Sequence, residues 1–249
     1  MPPEPHLYNA PSNVLENRVI LITGAGDGIG QAAARNFAAH GAQVILAGRT
    51  QAKLEAVYDA IVADGHPTPQ ISVIDFARAQ GDDYQDIAEA LEAEYGRLDG
   101  LLHNASILGQ RSPVEHYDVA TWLNVMHVNL NAAFILTQSL LPLLRKSTAA
   151  SVVFTSSGVG RVGRAFWGAY AASKFATEGL AQVLADELDD VRVNCINPGA
   201  TRTAMRKAAF PAEDPSKLTA ANDLMPAYLY LLGPASKGIN GQSIDCQPK

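Results

Sequence analysis

Tyr170-Ala171-Ala172-Ser173-Lys174 sets a phenol and an amine four residues apart, and Ser157 lies thirteen residues upstream. On a helix, positions i and i+4 stack on one face, so the Lys174 ammonium reaches the surroundings of the Tyr170 hydroxyl. A free tyrosine titrates near ~10, too high to trade protons readily at neutral pH. A neighbouring positive charge favours the phenolate and lowers that value, which makes the phenol a usable acid or base. Ser157 can then hydrogen-bond the oxygen of a carbonyl or alcohol and hold it against Tyr170. The Tyr-Lys spacing alone arises by chance in many helices. Its meaning depends on what the rest of the chain places beside it.

Upstream, Ile20-Leu21-Ile22-Thr23-Gly24-Ala25-Gly26-Asp27-Gly28-Ile29-Gly30 reads as a strand, a glycine-rich turn and a helix start. Such a turn lets backbone approach a pyrophosphate, while the helix N-terminus offers unpaired N–H groups and partial positive charge. The spacing of Gly24, Gly28 and Gly30 differs from G-x-G-x-x-G, and glycine also serves ordinary strand-to-helix packing. The position after the first strand of an alternating chain nevertheless points to dinucleotide binding. The next strand end selects the dinucleotide. An acidic residue there would bond the ribose 2′-OH of NAD, whereas arginine pairs with the 2′-phosphate of NADP. The sequence has Ala47-Gly48-Arg49-Thr50, with no carboxylate and a forked cation at that turn. NADP(H) is favoured; NAD(H) stays open because Asp27 stands in the glycine loop. Asp75-Phe76, at the end of the third strand, offers a bond to the adenine amine, or a helix cap. Asn104 and Ala105, after the fourth strand, line the expected crevice, or form a turn.

The elements that must hold these residues follow from apolar patterning. Strands are predicted at 18–23, 43–47, 70–75, 98–103, 151–155, 191–196 and 242–245. Helices are predicted at 28–39, 51–63, 82–94, 121–144 and 170–188. Near-continuous apolar strands joined by helices imply an α/β chain: a doubly wound, Rossmann-type parallel sheet of about seven strands, flanked by helices on both faces as an α/β/α sandwich. Residues 1–17, with four prolines, read as a flexible arm available to a neighbouring subunit, and residues 18–249 as a single domain. Residues of about 200–224 break the α/β rhythm after Pro198-Gly199 and read as a mobile substrate-binding flap.

Composition narrows the function classes. With 249 residues and 47% hydrophobic content the chain can bury a full core. A net charge of −6 gives no footprint for nucleic acid or an anionic membrane. No apolar run approaches the ~20 residues of a membrane span, and 1–17 lacks the features of a signal peptide. Cys195 and Cys246 form no disulfide framework or redox pair, and no metal site is expected. A cytoplasmic location is the corresponding expectation.

Together, Thr23-Gly24-x-x-x-Gly28-x-Gly30, Asp75, Asn104-Ala105, Asn129, Ser157, Tyr170-x-x-x-Lys174 and Pro198-Gly199 with Thr203 resemble the short-chain dehydrogenase/reductase family, over nearly the whole chain. The stretches 154–157, 167–170 and 192–199 resemble its YciK-type bacterial oxidoreductases. The resemblance implies hydride transfer between nicotinamide and a small-molecule carbonyl or alcohol, with Tyr170 moving the proton, Lys174 on the nicotinamide ribose and Ser157 on the substrate oxygen. Asn129 would hold a water that links Lys174 to solvent; a polar Asn in an apolar helix is otherwise a satisfied core residue. Pro198 and Gly199 would close the nicotinamide pocket, with Thr201 and Thr203 on the carboxamide; turn and capping roles are the ordinary alternative for both. Ser106 and Trp167 join Ser157 and Tyr170 as expected substrate contacts, beside Ile107, Leu108, Arg164, Phe166, Met205 and Phe210. Arg161, Arg164, Arg202 and Arg206 read as solvated arginines in preference to receptors for an anionic substrate.

Two departures stand out. The family's Asn-Asn-Ala-Gly is His103-Asn104-Ala105-Ser106 here, and its Asp-Gly-Gly is Asp245-Cys246-Gln247. Relatives pair the helices equivalent to 121–144 and 170–188 across subunits, so a homo-oligomer, dimer or tetramer, is expected. The competing functions are a catalytically silent NADP(H)-binding sensor, which has no need of the Ser157, Tyr170 and Lys174 set, and an epimerase or dehydratase, whose large C-terminal substrate domain is missing.

Overall fold

The computed structural model describes residues 4–248. Its strands are β1 (Val19–Thr23), β2 (Gln43–Gly48), β3 (Gln70–Val73), β4 (Gly100–His103), β5 (Ala150–Thr155), β6 (Val191–Asn197) and β7 (Ser243–Asp245). All neighbours pair in parallel in the order β3-β2-β1-β4-β5-β6-β7. The helices are α1 (Gly28–Ala39), α2 (Gln51–Ala63), α3 (Gly81–Tyr95), α4 (Val119–Met126), α5 (Ala132–Leu144), α6 (Gly168–Glu187), α7 (Ala204–Ala209) and α8 (Met225–Leu232).

The period-2 alternation of strand side chains divides the core. In β1, Val19 and Leu21 face the layer formed by α3, α5 and α6, whereas Ile20 and Ile22 face α1, α2 and α8. The chain leaves β1 towards β2 on one side and reaches β4 on the other. That reversal opens a crevice at the carboxyl ends of β1 and β4, the place where open α/β sheets bind ligands. The glycine turn, Arg49, Asp75, Asn104 and Ser157 all follow strands that end on this rim.

Three elements differ from the sequence expectation. The run predicted as one helix over 121–144 is two helices joined by a π-helical turn, His127–Asn131, and the whole helical run Val119–Leu144 is 26 residues long with hydropathy 1.3. By length and composition alone it is long and apolar enough to cross a membrane, and 28% of its most apolar 18 residues are buried. Periodicity does not find α8, because Met225 and every residue from Ala227 to Leu232 are buried, so no polar face marks a turn. In the expected flap, Thr203 caps α7 by accepting from the Arg206 N–H at 3.1 Å, and Thr201 bridges to Thr219.

The described part of the expected arm lies on its own chain. Leu15 is fully buried and its N–H donates to the His40 carbonyl at 3.0 Å, and Tyr8 packs edge-on against Tyr230 at 5.5 Å. These two apolar anchors bury surface against the domain.

Candidate active site

The crevice is a cavity of about 560 Å³ running from the glycine turn to α7. At one end, Gly24 adopts φ +67° and Gly28 φ +53°. A Cβ on Gly30 would stand 2.1 Å from the Gly24 carbonyl oxygen, so only glycine lets α1 start this close to the turn. Thr23 sits behind this wall. Its hydroxyl accepts the N–H groups of Asn104 at 2.9 Å and Ala105 at 3.0 Å, tying the β1 and β4 ends together. Gly24, Gly26, Asp27, Gly28 and Ile29 line the cavity, as do Asp75, Phe76, Asn104, Ala105 and Ser106; Thr23 and Gly30 shape it from behind. Asp75 also accepts the Ala77 N–H at 3.1 Å, a local turn contact, and the following helix α3 is capped by Gln80 instead.

The edge beyond β2 carries Arg49 and a second cation that sequence reasoning missed. Lys53, one helical turn further on, lines the cavity and pairs with Asp27 at 2.6 Å. That hydrogen bond, foremost, holds the Asp27 carboxyl below its ordinary value. Arg49 precedes Thr50, the N-cap of α2, so helical spacing does not pair it with Lys53, and no local signal marked the lysine. Asp27 and Lys53 offset one another, and among the described residues Arg49 makes no salt bridge.

At the other end, β5 delivers Ser157 and α6 delivers Tyr170 and Lys174 to one spot. Lys174 Nζ donates to the Thr155 carbonyl at 2.7 Å and lies 5.5 Å from the centre of the Tyr170 ring. Gly160 presses on Lys174 so closely that a Cβ would meet its Cβ at 2.9 Å. Asn129 projects from the π turn and holds both backbone groups of Ile107, accepting from its N–H at 2.8 Å and donating to its carbonyl at 3.0 Å. It also donates to Ser173 Oγ at 3.0 Å. Asn129 thus clips the loop after β4 to α6 and lies just off the cavity surface. The π turn aims its amide there, a use of such bulges that recurs at functional sites.

The protonation states depart from the expectation in one respect. Burial raises the Tyr170 phenol to about 12, with a hydrogen bond from Ser157 opposing it. Burial likewise lowers the Lys174 ammonium to about 8. The lowering of Tyr170 that the spacing implies does not prevail, because burial, the leading cause, penalises the phenolate.

Pro198, Gly199, Thr201 and Thr203 line the same end. Thr201 and Thr203 also perform the local roles weighed above: the Thr201 hydroxyl reaches the Pro198 and Gly199 carbonyls at 3.3 Å, and Thr203 caps α7. Leu108, Trp167 and Met205 form a small apolar cluster with Tyr170.

The short chain dehydrogenase family matches residues 18–214. The chain belongs to the short-chain dehydrogenases. It is 52% identical to the oxidoreductase YciK of Escherichia coli (strain K12), over 97% of this chain and 96% of that one. Two solved structures superpose with TM-scores of 0.94: a short chain dehydrogenase from Shigella flexneri 2a complexed with NADP, 52% identical over 96% of this chain and all of that one, and one from Escherichia coli CFT073 complexed with NADPH, 53% identical with the same coverage.

In this dehydrogenase both departures from the family motifs have a structural account. His103 is buried and stacked on Phe154 at 4.6 Å, with Nε2 2.7 Å from Thr137 Oγ1. The Thr137 hydroxyl donates to the Ala133 carbonyl at 2.8 Å, so it accepts from His103 Nε2–H. Burial, then the nearby Lys174 charge, pushes this imidazole down to about 3. Gln247 replaces a glycine and staples the Pro198 loop: its amide donates to the carbonyls of Pro198 at 2.8 Å and Ala200 at 3.1 Å, and accepts from Thr219 at 3.0 Å. Ser106 faces the cavity.

The four arginines separate. Arg161 pairs with Asp245 at 2.6 Å and Arg206 with Glu213 at 2.6 Å. Arg164 and Arg202 are exposed. The enzyme's thiols, Cys195 and Cys246, are both buried and free.

Proposed function

We propose that this oxidoreductase binds NADP(H) and interconverts a carbonyl and an alcohol, with Tyr170 as general acid and base. The observation that carries this reading is one continuous cavity with Arg49 and Lys53 at one end and Ser157, Tyr170 and Lys174 at the other. The residues present fit the cofactor. The Gly24–Gly30 contact leaves no room for side chains where backbone must approach a pyrophosphate, and the start of α1 supplies N–H donors. Arg49 and Lys53 would hold a 2′-phosphate, and Asn104, Pro198, Gly199 and Thr201 the nicotinamide half. When bound, NADP(H) supplies or accepts the hydride.

The chain's own groups handle the proton. A phenol held near 12 is fully protonated at neutral pH, which suits donation to a carbonyl oxygen during reduction. Ser157 orients that oxygen and stabilises charge developing on it. Lys174, pinned through Thr155, keeps a cation beside the phenol as negative charge forms there. Asn129 fixes the Ile107 backbone and the side chain of Ser173, the neighbour of Lys174, and a water linking Lys174 to solvent would run past it. Leu108, Trp167 and Met205 favour a moderately apolar substrate.

We also propose a homo-oligomer built on the outer faces of α4, α5 and α6. Leu123, Phe134, Phe175 and Val183 are each 44–62% exposed there, an apolar set that water alone does not favour. Among the small residues of α6, Ala171 and Ala181 are buried within the chain, whereas Gly179 faces outward.

The test begins with the fluorescence of bound NADPH against NADH. A carbonyl panel is then screened with the preferred cofactor, using Tyr170→Phe as control. Tight NADH binding with none for NADPH would overturn the role of Arg49, and undiminished turnover in Tyr170→Phe would remove the acid. Light scattering that gave a monomer of about 26 kDa would end the oligomer proposal.

A further inference from the structure

Arg111 lies in the loop after β4, far in sequence from α7, yet its Nη1 donates to the carbonyl of Ala209, the last residue of α7. That carbonyl is one of the groups a helix end leaves without an internal partner, so the bond is charge-assisted at a site that needs it. The guanidinium carbon stands 4.7 Å from the centre of the Trp167 ring and 4.8 Å from that of Phe210, and the two rings are 5.8 Å apart. Arg206, already paired with Glu213, faces Phe210 at 3.9 Å. Among the described residues no salt bridge to Arg111 is found; the side chain is exposed to water on one side and meets two aromatic faces and one carbonyl on the other. Trp167 precedes α6 and lies 5.7 Å from the Tyr170 ring. One planar cation therefore joins three elements: the β4 loop, the entry to the catalytic helix and the end of α7. Ala209, Trp167 and Met205 all line the cavity.

We propose that Arg111 is a positioning residue that latches α7 over the substrate end of the cavity and sets Trp167 against Tyr170. Its planar, weakly hydrated guanidinium is what allows one side chain to stack on aromatic rings and bond a carbonyl at once. A lysine keeps the charge and loses the fork. The latch acts on substrate, because it bears on the Trp167 and Met205 wall, and leaves the Arg49 end of the cavity alone. It rests on the proposed function only for its kinetic consequence.

The experiment compares Arg111→Ala and Arg111→Lys in a Trp122→Phe background, where Trp167 is the single tryptophan. Trypsin reports flap opening through cleavage after Arg206, Lys207 and Lys217, with cleavage after Arg192, in the interior strand β6, as the measure of global opening. Arg111→Ala is expected to raise flap cleavage about tenfold, a shift of about 1.4 kcal/mol in the opening equilibrium, with the Arg192 rate unchanged. Trp167 emission shifts to the red, and Arg111→Lys falls between the two. With NADPH and an active carbonyl compound, KM rises about tenfold, kcat changes less, and the NADPH Kd stays constant. Phe210→Leu should reproduce the cleavage effect and add little to it in the double variant. Unchanged flap cleavage and Trp167 emission in Arg111→Ala, or full additivity with Phe210→Leu, overturns the proposal. Absence of turnover with every carbonyl tested counts against the proposed reaction, and cleavage and emission still decide the latch.

Discussion

The two ends of the cavity are built on opposite electrostatic terms. At the β2 edge, Lys53 and Asp27 pair at 2.6 Å with both side chains 55% exposed, so water screens them. At the β5 edge, Tyr170 and Lys174 are buried, and desolvation moves one group to about 12 and the other to about 8. The exposed end can choose among ligands by charge without disturbing any protonation state. The buried end shifts protonation states by desolvation. Under the proposed function, placing the two ends apart in one crevice would let a charged phosphate and a buried proton-transfer site coexist.

The largest effect should come from the dry end. Tyr170→Phe is expected to lower kcat for carbonyl reduction by ~10²–10⁴-fold, the range for losing a positioned acid, while the NADPH Kd measured by fluorescence stays the same. A comparable fall in cofactor affinity would mean that the two ends are not separate. At the wet end, Arg49→Ala should weaken NADPH by roughly tenfold to a hundredfold, as for a charged hydrogen bond of about 1.5–3 kcal/mol, and leave NADH as it was. Equal weakening of both would place Arg49 on something other than the 2′-phosphate.

The third prediction concerns a buried base outside the reaction. His103 titrates near 3 when folded against an ordinary 6.5, so between those values the unfolded chain binds the extra proton and stability falls as pH falls. At pH 5 this cost is about 2 kcal/mol. Urea unfolding of the wild type and His103→Asn at pH 7 and pH 5 should show a smaller pH loss in the variant. Parallel losses would show that the imidazole is not neutral in the fold. The smallest effect belongs to the exposed pair: Asp27→Asn should change unfolding stability by about 0.2–1 kcal/mol or less, and that change should vanish in high salt. A larger, salt-insensitive change would contradict the screened picture of the β2 edge.

How much of this was legible beforehand depended on whether a residue's role is local. The glycine turn, Arg49, Ser157 and the Tyr170–Lys174 pair were readable because strand ends and helical spacing alone bring them to one rim. Boundaries of α1 and α2 followed from periodicity, since each has one polar face. The helix α8 had none to show. Lys53 and Arg111 were missed for a different reason: nothing local distinguishes a cavity-edge cation from a solvated one. Their partners, Asp27, Trp167 and Phe210, lie 26, 56 and 99 residues away. The direction of the Tyr170 shift was unreadable as well, because spacing reveals the neighbouring charge but not how thoroughly water is excluded.

The π turn between α4 and α5 has a consequence for how this surface can change. With 3.6 residues per turn, one additional residue advances everything downstream by about 100° around the helix axis. The turn therefore works as a phase adjuster: it sets which side of α5 meets the sheet independently of which side of α4 lies outward. Removing one residue from His127–Asn131 would rejoin the two halves as a single uninterrupted helix and rotate Asn129 out of reach of Ile107 and Ser173. The outer apolar face and the face that carries Asn129 are thus encoded in one run of sequence but can be re-aimed separately, provided that the inserted residue is kept.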